Sequence, residues 1–176
     1  MSFNVELIEN MVSKPDCIEL RRKIYKIIQA YPSYNRRIKL IYGGIPSYSF
    51  TLYGKKIETK VKDWREFPEL YALSKMLERV TGQPYNCCVI QYYKSGKVGI
   101  KPHRDKEMKS GTIISSISLG ETRIMKFERG HEHHEFPLTE GSLFLIHPPT
   151  NDCWLHSIPL DDSTSPRMSL VFRYYA

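Results

Sequence analysis

Two hydrophobic periods divide the chain. Across residues 16–30 the apolar positions Leu20, Ile24, Ile27 and Ile28 recur at helical spacing, with Pro15 and Asp16 suited to a first turn and Pro32 just beyond the end. This spacing predicts an amphipathic helix. A second helix is predicted over 68–80, where Leu70, Leu73, Leu77 and Val80 share a face and Gly82 supplies the stop. Elsewhere the period is two. Residues 34–62 read as short strands at 38–42 and 48–53, a Gly43-Gly44 turn between them, a Gly54-Lys55 turn, and a second arm of alternating basic and apolar residues, which together predict surface hairpins. After Pro84, strands are predicted at 86–93, 112–119, 122–127, 142–146, 153–158 and 167–174. Helices first and a run of strands afterwards predict an α+β fold whose body is a double-sheet jelly roll, or double-stranded β-helix. We read 1–176 as a single domain, with helices and hairpins in 1–85 and the jelly roll in 86–176.

Composition narrows the class. A chain of 176 residues is long enough to bury a core without disulfides or structural metal. Cys17, Cys87, Cys88 and Cys153 form no C-x-x-C pair, which excludes zinc-finger spacing and predicts reduced thiols in an intracellular, soluble protein. Neither a secretory leader nor a membrane span is expected, since no apolar run is long enough. A monomer is expected.

Charge then adds a partner. Residues 1–65 hold 13 of the 26 Lys+Arg but only 6 of the 19 Asp+Glu, so the +7 excess falls entirely in the first third. Its clusters are Arg21-Arg22-Lys23, Arg36-Arg37 with Lys39, and Lys55-Lys56 with Lys60 and Lys62, interleaved with Tyr31, Tyr34, Tyr42, Tyr48, Phe50 and Tyr53. Cations for phosphates beside aromatic faces for bases are what a nucleic-acid-handling surface needs.

The candidate chemistry lies in the strand-rich part. His103 and Asp105, at i and i+2 of an extended segment, point to one side. A distant histidine closing a two-His, one-carboxylate face is the ligand set of non-haem Fe(II) oxygenases, which keep the opposite face open for cosubstrate and O₂. His147 and His156 both compete for that third place. His131, His133 and His134 fall in a polar stretch between Phe127 and Leu138 and read as an exposed hairpin tip. On the last predicted strand, Arg167, Ser169, Val171 and Arg173 share one face, with Met168, Leu170 and Phe172 on the other. Inward guanidinium groups are costly to desolvate unless they meet carboxylates, and a dicarboxylate cosubstrate would satisfy both. Their α-carbons stand roughly 20 Å apart at about 3.3 Å per residue, so both side chains must lean inward for that, or only one can serve.

With these residues in view, the chain resembles the AlkB family of Fe(II)- and 2-oxoglutarate-dependent nucleic-acid dealkylases. The resemblance runs through Thr81-Gly82-Gln83-Pro84-Tyr85-Asn86, Tyr92-Tyr93-Lys94-Ser95-Gly96, His103-Arg104-Asp105-Lys106-Glu107, Ser116 to Gly120, His147 to Asn151, Trp154 to Pro159 and the closing Arg167 to Arg173 strand. The hairpin region and the His147 to Asn151 segment look most like the branch that repairs alkylated DNA. The resemblance implies His103, Asp105 and His156 as iron ligands, His156 being preferred to His147 by its Trp-x-His setting. It implies Arg167 for the distal carboxylate of 2-oxoglutarate and Arg173 beside the metal-bound end, with Gln91, Tyr93 and Ser169 completing the cosubstrate site. Gln91 and Ser169 stand where the family often has Asn. The hairpin becomes a nucleotide-recognition region in which Tyr48, Ser49 and Phe50 line the base pocket, Glu107 reads or polarises the base, and Arg37 meets the opened strand. The implied reaction uses Fe(II), 2-oxoglutarate and O₂ to demethylate 1-methyladenine and 3-methylcytosine in DNA, with RNA also possible as substrate. A protein hydroxylase of the same chemistry and a non-catalytic nucleic-acid-binding module are the alternatives.

Overall fold

A computed structural model describes residues 3–32 and 36–176, so Tyr34 lies outside the described residues. Thirteen strands and three α-helices are seen among them. The first element is a strand, β1 (Val5–Ile8), followed by α1 (Lys14–Ile28), whose Ser13 cap accepts a hydrogen bond from the Asp16 amide at 3.3 Å. Then come β2 (Ile38–Gly43), β3 (Ser47–Leu52), β4 (Lys55–Lys60), β5 (Lys62–Asp63) and α2 (Pro68–Thr81). The rest are β6 (Cys87–Tyr93), β7 (Ile100–His103), β8 (Ile114–Gly120), β9 (Arg123–Arg129), β10 (Glu132–Leu138), β11 (Leu143–Ile146), α3 (Thr150–Cys153), β12 (Leu155–Ile158) and β13 (Arg167–Arg173).

The strands form a large sheet in the order β1-β11-β8-β13-β6-β2-β5, a small sheet in the order β10-β9-β12-β7, and the separate β3-β4 hairpin. Strand alternation sorts the large sheet into two faces. Leu40, Tyr42, Ile90, Tyr92, Ile117, Leu119, Leu170 and Phe172 pack with Leu20, Ile24 and Ile28 of α1 and Leu70 and Leu77 of α2. The opposite parity, Tyr93, Phe144 and Val171 among it, packs against Met125, Phe127 and Ile158 of the small sheet. This is the expected double-stranded β-helix. Burying both faces of β6 and β13 explains why every residue in each is buried.

Four readings change. Val80 is 44 % exposed, and Ser74, 2 % exposed with its hydroxyl donating to the Tyr71 carbonyl, takes its place on the buried face of α2. Gly43 and Gly44 make no hairpin turn, because β2 pairs with β6 and β5 while β3 pairs only with β4. Gly43 is required for another reason: a Cβ there would lie 2.3 Å from the Asn86 carbonyl oxygen. The β3-β4 turn is centred on Tyr53 and Gly54, both at positive φ, one residue earlier than expected. Residues 132–138 form strand β10 rather than a connecting tip; His133 and His134 lie on it, and His134 stacks on Phe3 with ring centroids 4.2 Å apart. That strand, like β7, is a sheet edge, β10 with one buried residue and β7 with none, so neither carries an apolar alternation to read.

Candidate active site

The small sheet brings a second histidine to His103. His103 ends β7, and His156 sits directly opposite it in the antiparallel β12 register, with ring centroids 4.3 Å apart. Asp105 follows in the loop. Its Oδ1 lies 3.2 Å from His103 Nε2 and its Oδ2 3.9 Å from His156 Nε2, and one ligand atom from each residue falls within 4.8 Å of the others. His147 is elsewhere, its Nε2 2.9 Å from Glu6 Oε1 on β1.

Each ligand is held from outside the triad. His103 Nδ1 lies 2.9 Å from the Lys101 carbonyl oxygen, to which its N–H donates, so Nε2 is turned to the site. Asn151 clamps the backbone of Asp105, accepting from its amide at 3.0 Å and donating to its carbonyl at 2.7 Å. Arg173 donates Nη2 to Asp105 Oδ2 at 3.0 Å. Burial alone would raise the Asp105 carboxyl, but the Arg173 guanidinium, reinforced by His103 and His156, holds it well below the usual carboxylate range. Burial pushes His156 down to about 4, which keeps its imidazole neutral, the form that donates to a metal. Burial also acts to lower His103, yet the hydrogen bond to Asp105 leaves it raised. His103 remains 35 % exposed against 9 % for the other two side chains, so the triad opens on one side.

That side is a cavity of about 880 Å³. Arg37, Tyr48, Phe50, Gln91, Glu107 and Arg173 line it together with His103 and Asp105. Tyr48 stacks on Tyr175 at 4.1 Å and 10° between planes, which fixes the aromatic wall. Glu107 Oε2 is 4.0 Å from Arg173 Nη1. Ser49 is exposed and does not line this cavity, since it alternates with Tyr48 and Phe50 along β3. Among the cosubstrate candidates, Gln91 accepts from Tyr93 Oη at 2.8 Å and from Arg37 Nη1 at 3.1 Å. Ser169 is buried and pairs in register with Gln91 on one side and Ser118 on the other.

Arg167 lies deeper than the open cavity. It is 1 % exposed, its guanidinium 5.0 Å from the Tyr93 ring centroid, with Nη2 donating to Ser118 Oγ at 3.1 Å. Its Nε and Nη1 are buried without a hydrogen-bond partner. Two buried cationic donors left open fit a carboxylate, as two imidazoles and a carboxylate fit a divalent iron. The two arginines therefore differ: Arg173 meets the Asp105 carboxylate and leaves Nε alone open, whereas Arg167 meets no carboxylate and leaves Nε and Nη1 open.

The family model described as the 2OG-Fe(II) oxygenase superfamily matches residues 43–173. The chain belongs to this superfamily. Fe(II), 2-oxoglutarate and O₂ are accordingly its cofactor and cosubstrates. Its curated relatives are of the AlkB type. It is 35 % identical over 125 residues to the DNA oxidative demethylase ALKBH2 of Homo sapiens, covering 64 % of this chain and 47 % of that protein. It is 31 % identical over 120 residues to the human alpha-ketoglutarate-dependent dioxygenase alkB homolog 3, covering 60 % and 42 %. The chain thus spans about half the length of the curated relatives it matches. In fold, the structure of OsALKBH1 matches with a TM-score of 0.65 at 14 % identity over 99 % of this chain and 98 % of that one. A prolyl hydroxylase from Trichoplax adhaerens matches with a TM-score of 0.65 at 11 % identity, covering 97 % and 83 %.

Sequence reasoning missed Asn151 as the Asp105 clamp, Tyr175 as the partner of Tyr48, and buried Arg123, which ties Ser95, Val98 and Pro159 carbonyls together. These interactions span 25 to 46 positions in the chain for Arg123 and Asn151, and no local pattern marks them. The structure also corrects the charge reading. In the Arg21-Arg22-Lys23 cluster, Arg21 pairs with Glu140, Arg22 with Glu19 and Lys23 with Glu69, so α1 presents no uncompensated basic face there. Among the described residues no helix is long and apolar enough to cross a membrane.

Proposed function

We propose that this oxygenase oxidatively demethylates alkylated bases in DNA, with 1-methyladenine and 3-methylcytosine as the substrate class. In this reading His103, Asp105 and His156 hold Fe(II), Arg167 grips the distal carboxylate of 2-oxoglutarate, and Gln91, Tyr93 and Ser169 line the path between them. Arg173 keeps Asp105 charged and oriented. Bound there, iron with 2-oxoglutarate and O₂ supplies the oxidising power that hydroxylates the N-methyl carbon, which leaves as formaldehyde alongside succinate and CO₂.

The observation that carries the reading is the wall of the cavity. The triad opens into a cavity whose lining includes Tyr48, Phe50, Glu107 and Arg37. A base extruded from the stack needs aromatic faces to replace its neighbours, and a cationic methylated base is matched by a carboxylate. The resemblance of the chain to ALKBH2 and alkB homolog 3 supports the same choice. In this reading the protein works inside the cell as a monomer with a single domain; its four cysteines are free.

Incubation with a 3-methylcytosine oligonucleotide, with and without Fe(II) and 2-oxoglutarate, tests it. Loss of the methyl mass with stoichiometric succinate, dependent on both additions, is expected. His103→Ala or Asp105→Ala should abolish turnover, and full activity in either removes the metal assignment. Succinate release without loss of the methyl mass from DNA would redirect the search to RNA or protein.

A further inference from the structure

We propose that the strand carrying the target base continues out of the active site through a second, basic groove that crosses the β7 edge onto the outer face of the small sheet. This deepens the nucleic-acid reading above and rests on it. The groove encloses about 720 Å³ and shares Arg37, Lys39, Gly99, Ile100, Lys101 and Pro102 with the catalytic cavity, so the two spaces are continuous. Its cations are Arg36, Arg37, Lys39, Lys97, Lys101 and Lys126, against one acid among the described residues, Glu128.

Glu128 is already occupied, 2.7 Å from Lys126. Among the described residues Lys39, Lys97 and Lys101 make no ion pair, and Arg37 hydrogen-bonds only the neutral Gln91 amide. This contrasts with α1, where each of three successive cations has a carboxylate. Lys39, Lys97 and Lys101, gathered in one groove with no ion pair among the described residues, repel one another, so the groove fits a chain of anions entering from the site. A phosphodiester backbone has that form, and neutralising it releases counterions. Register fixes which surface this is. Lys126 pairs across from Ser157 on β12, one position from inward-facing Phe127 and His156, so Lys126 and Ser157 lie on the side away from the metal ligands. Leu160, 68 % exposed on the same rim, offers an apolar surface for a sugar or base.

The test is binding of a fluorescein-labelled, unmodified thymidine 12-mer to the full chain loaded with Fe(II) and 2-oxoglutarate without oxygen, followed by anisotropy across a salt series. Lys97→Glu/Lys126→Glu should weaken binding about tenfold or more at low salt. The log–log salt slope should become shallower by about 0.7, for the one phosphate on a single strand that Lys97 no longer neutralises, since Lys126 is already balanced by Glu128. Lys14→Glu/Lys26→Glu on α1 makes the same change in net charge away from the groove and should shift binding by less than about threefold. If the charge-reversed groove protein does not fold, as read by its melting temperature, Lys97→Gln/Lys126→Gln should still weaken binding about threefold. Equal losses in the groove and α1 variants, an unmoved groove variant, or no binding by the unmodified protein would each overturn the groove. Demethylation of a methylated oligonucleotide with the same KM in groove variant and parent would remove the groove and keep the repair reading; groove-dependent binding without any demethylation would do the reverse.

Discussion

Among single residues, the site turns on which donors are already satisfied. Arg173 gives Nη2 to Asp105 and leaves Nε open, whereas Arg167 keeps both Nε and Nη1 buried and open. Removing one partner of a buried charged hydrogen bond costs about 2–5 kcal/mol. Arg167→Ala should therefore raise the KM for 2-oxoglutarate at least about 30-fold in a succinate-release assay, and an unchanged KM would place the distal carboxylate elsewhere. His156 gives a pH signature to the metal-free chain. Burial lowers it from 6.5 to about 4, so as pH falls the unfolded chain takes up the proton first. Its contribution to stability is complete above about pH 6.5 and is lost on the way down to about 4. Denaturation midpoints measured across that range should fall less steeply in His156→Gln than in the parent; parallel curves would show that His156 is not held neutral. The sequence showed His103, Asp105 and the arginines because they lie at i and i+2 or alternate along one strand. Spacing alone did not separate His147 from His156; the family resemblance preferred His156, and the β7-β12 register brings its ring opposite His103.

For the elements, legibility followed burial. The strand β6 announced itself as a mostly apolar run because both its faces are covered, β13 by its alternation, and α1 and α2 by spacing of their buried positions. Edge strands β7 and β10 bury at most one residue each and left no such trace; β7 even carries Pro102, which an edge tolerates. The same covering predicts thiol chemistry. Burial pushes Cys17 up to about 11 and Cys87 up to about 12, and raises Cys88 well above its ordinary value. At pH 8 these three carry little thiolate and no access, while Cys153 is partly exposed. A disulfide reagent should titrate one fast thiol in the native protein and four in denaturant; three fast thiols would mean that the β6 strand is not sandwiched as described.

The whole molecule closes its large sheet with a strand from its beginning. β1 pairs antiparallel with β11, Glu6 meets His147, and the Asn4 amide donates to Thr150 at 2.6 Å, just ahead of the Asn151 clamp. Removing residues 1–9 should leave β11 an open apolar edge, producing concentration-dependent association on size exclusion and weaker metal binding through a loosened Asn151. A monodisperse truncated chain with parental metal affinity would overturn this coupling. Local pattern was enough for the local chemistry: period and parity sorted helices from strands, put the arginines on one face of the last strand, and set His103 beside Asp105. Those follow from geometry within a few residues. It took the folded chain to bring the ring of His156 opposite His103, to neutralise some basic clusters and not others, and to stand the hairpin apart from β2. Each of these depends on groups far apart in the chain meeting across a sheet, where register and burial select one pairing from the many that local pattern allows.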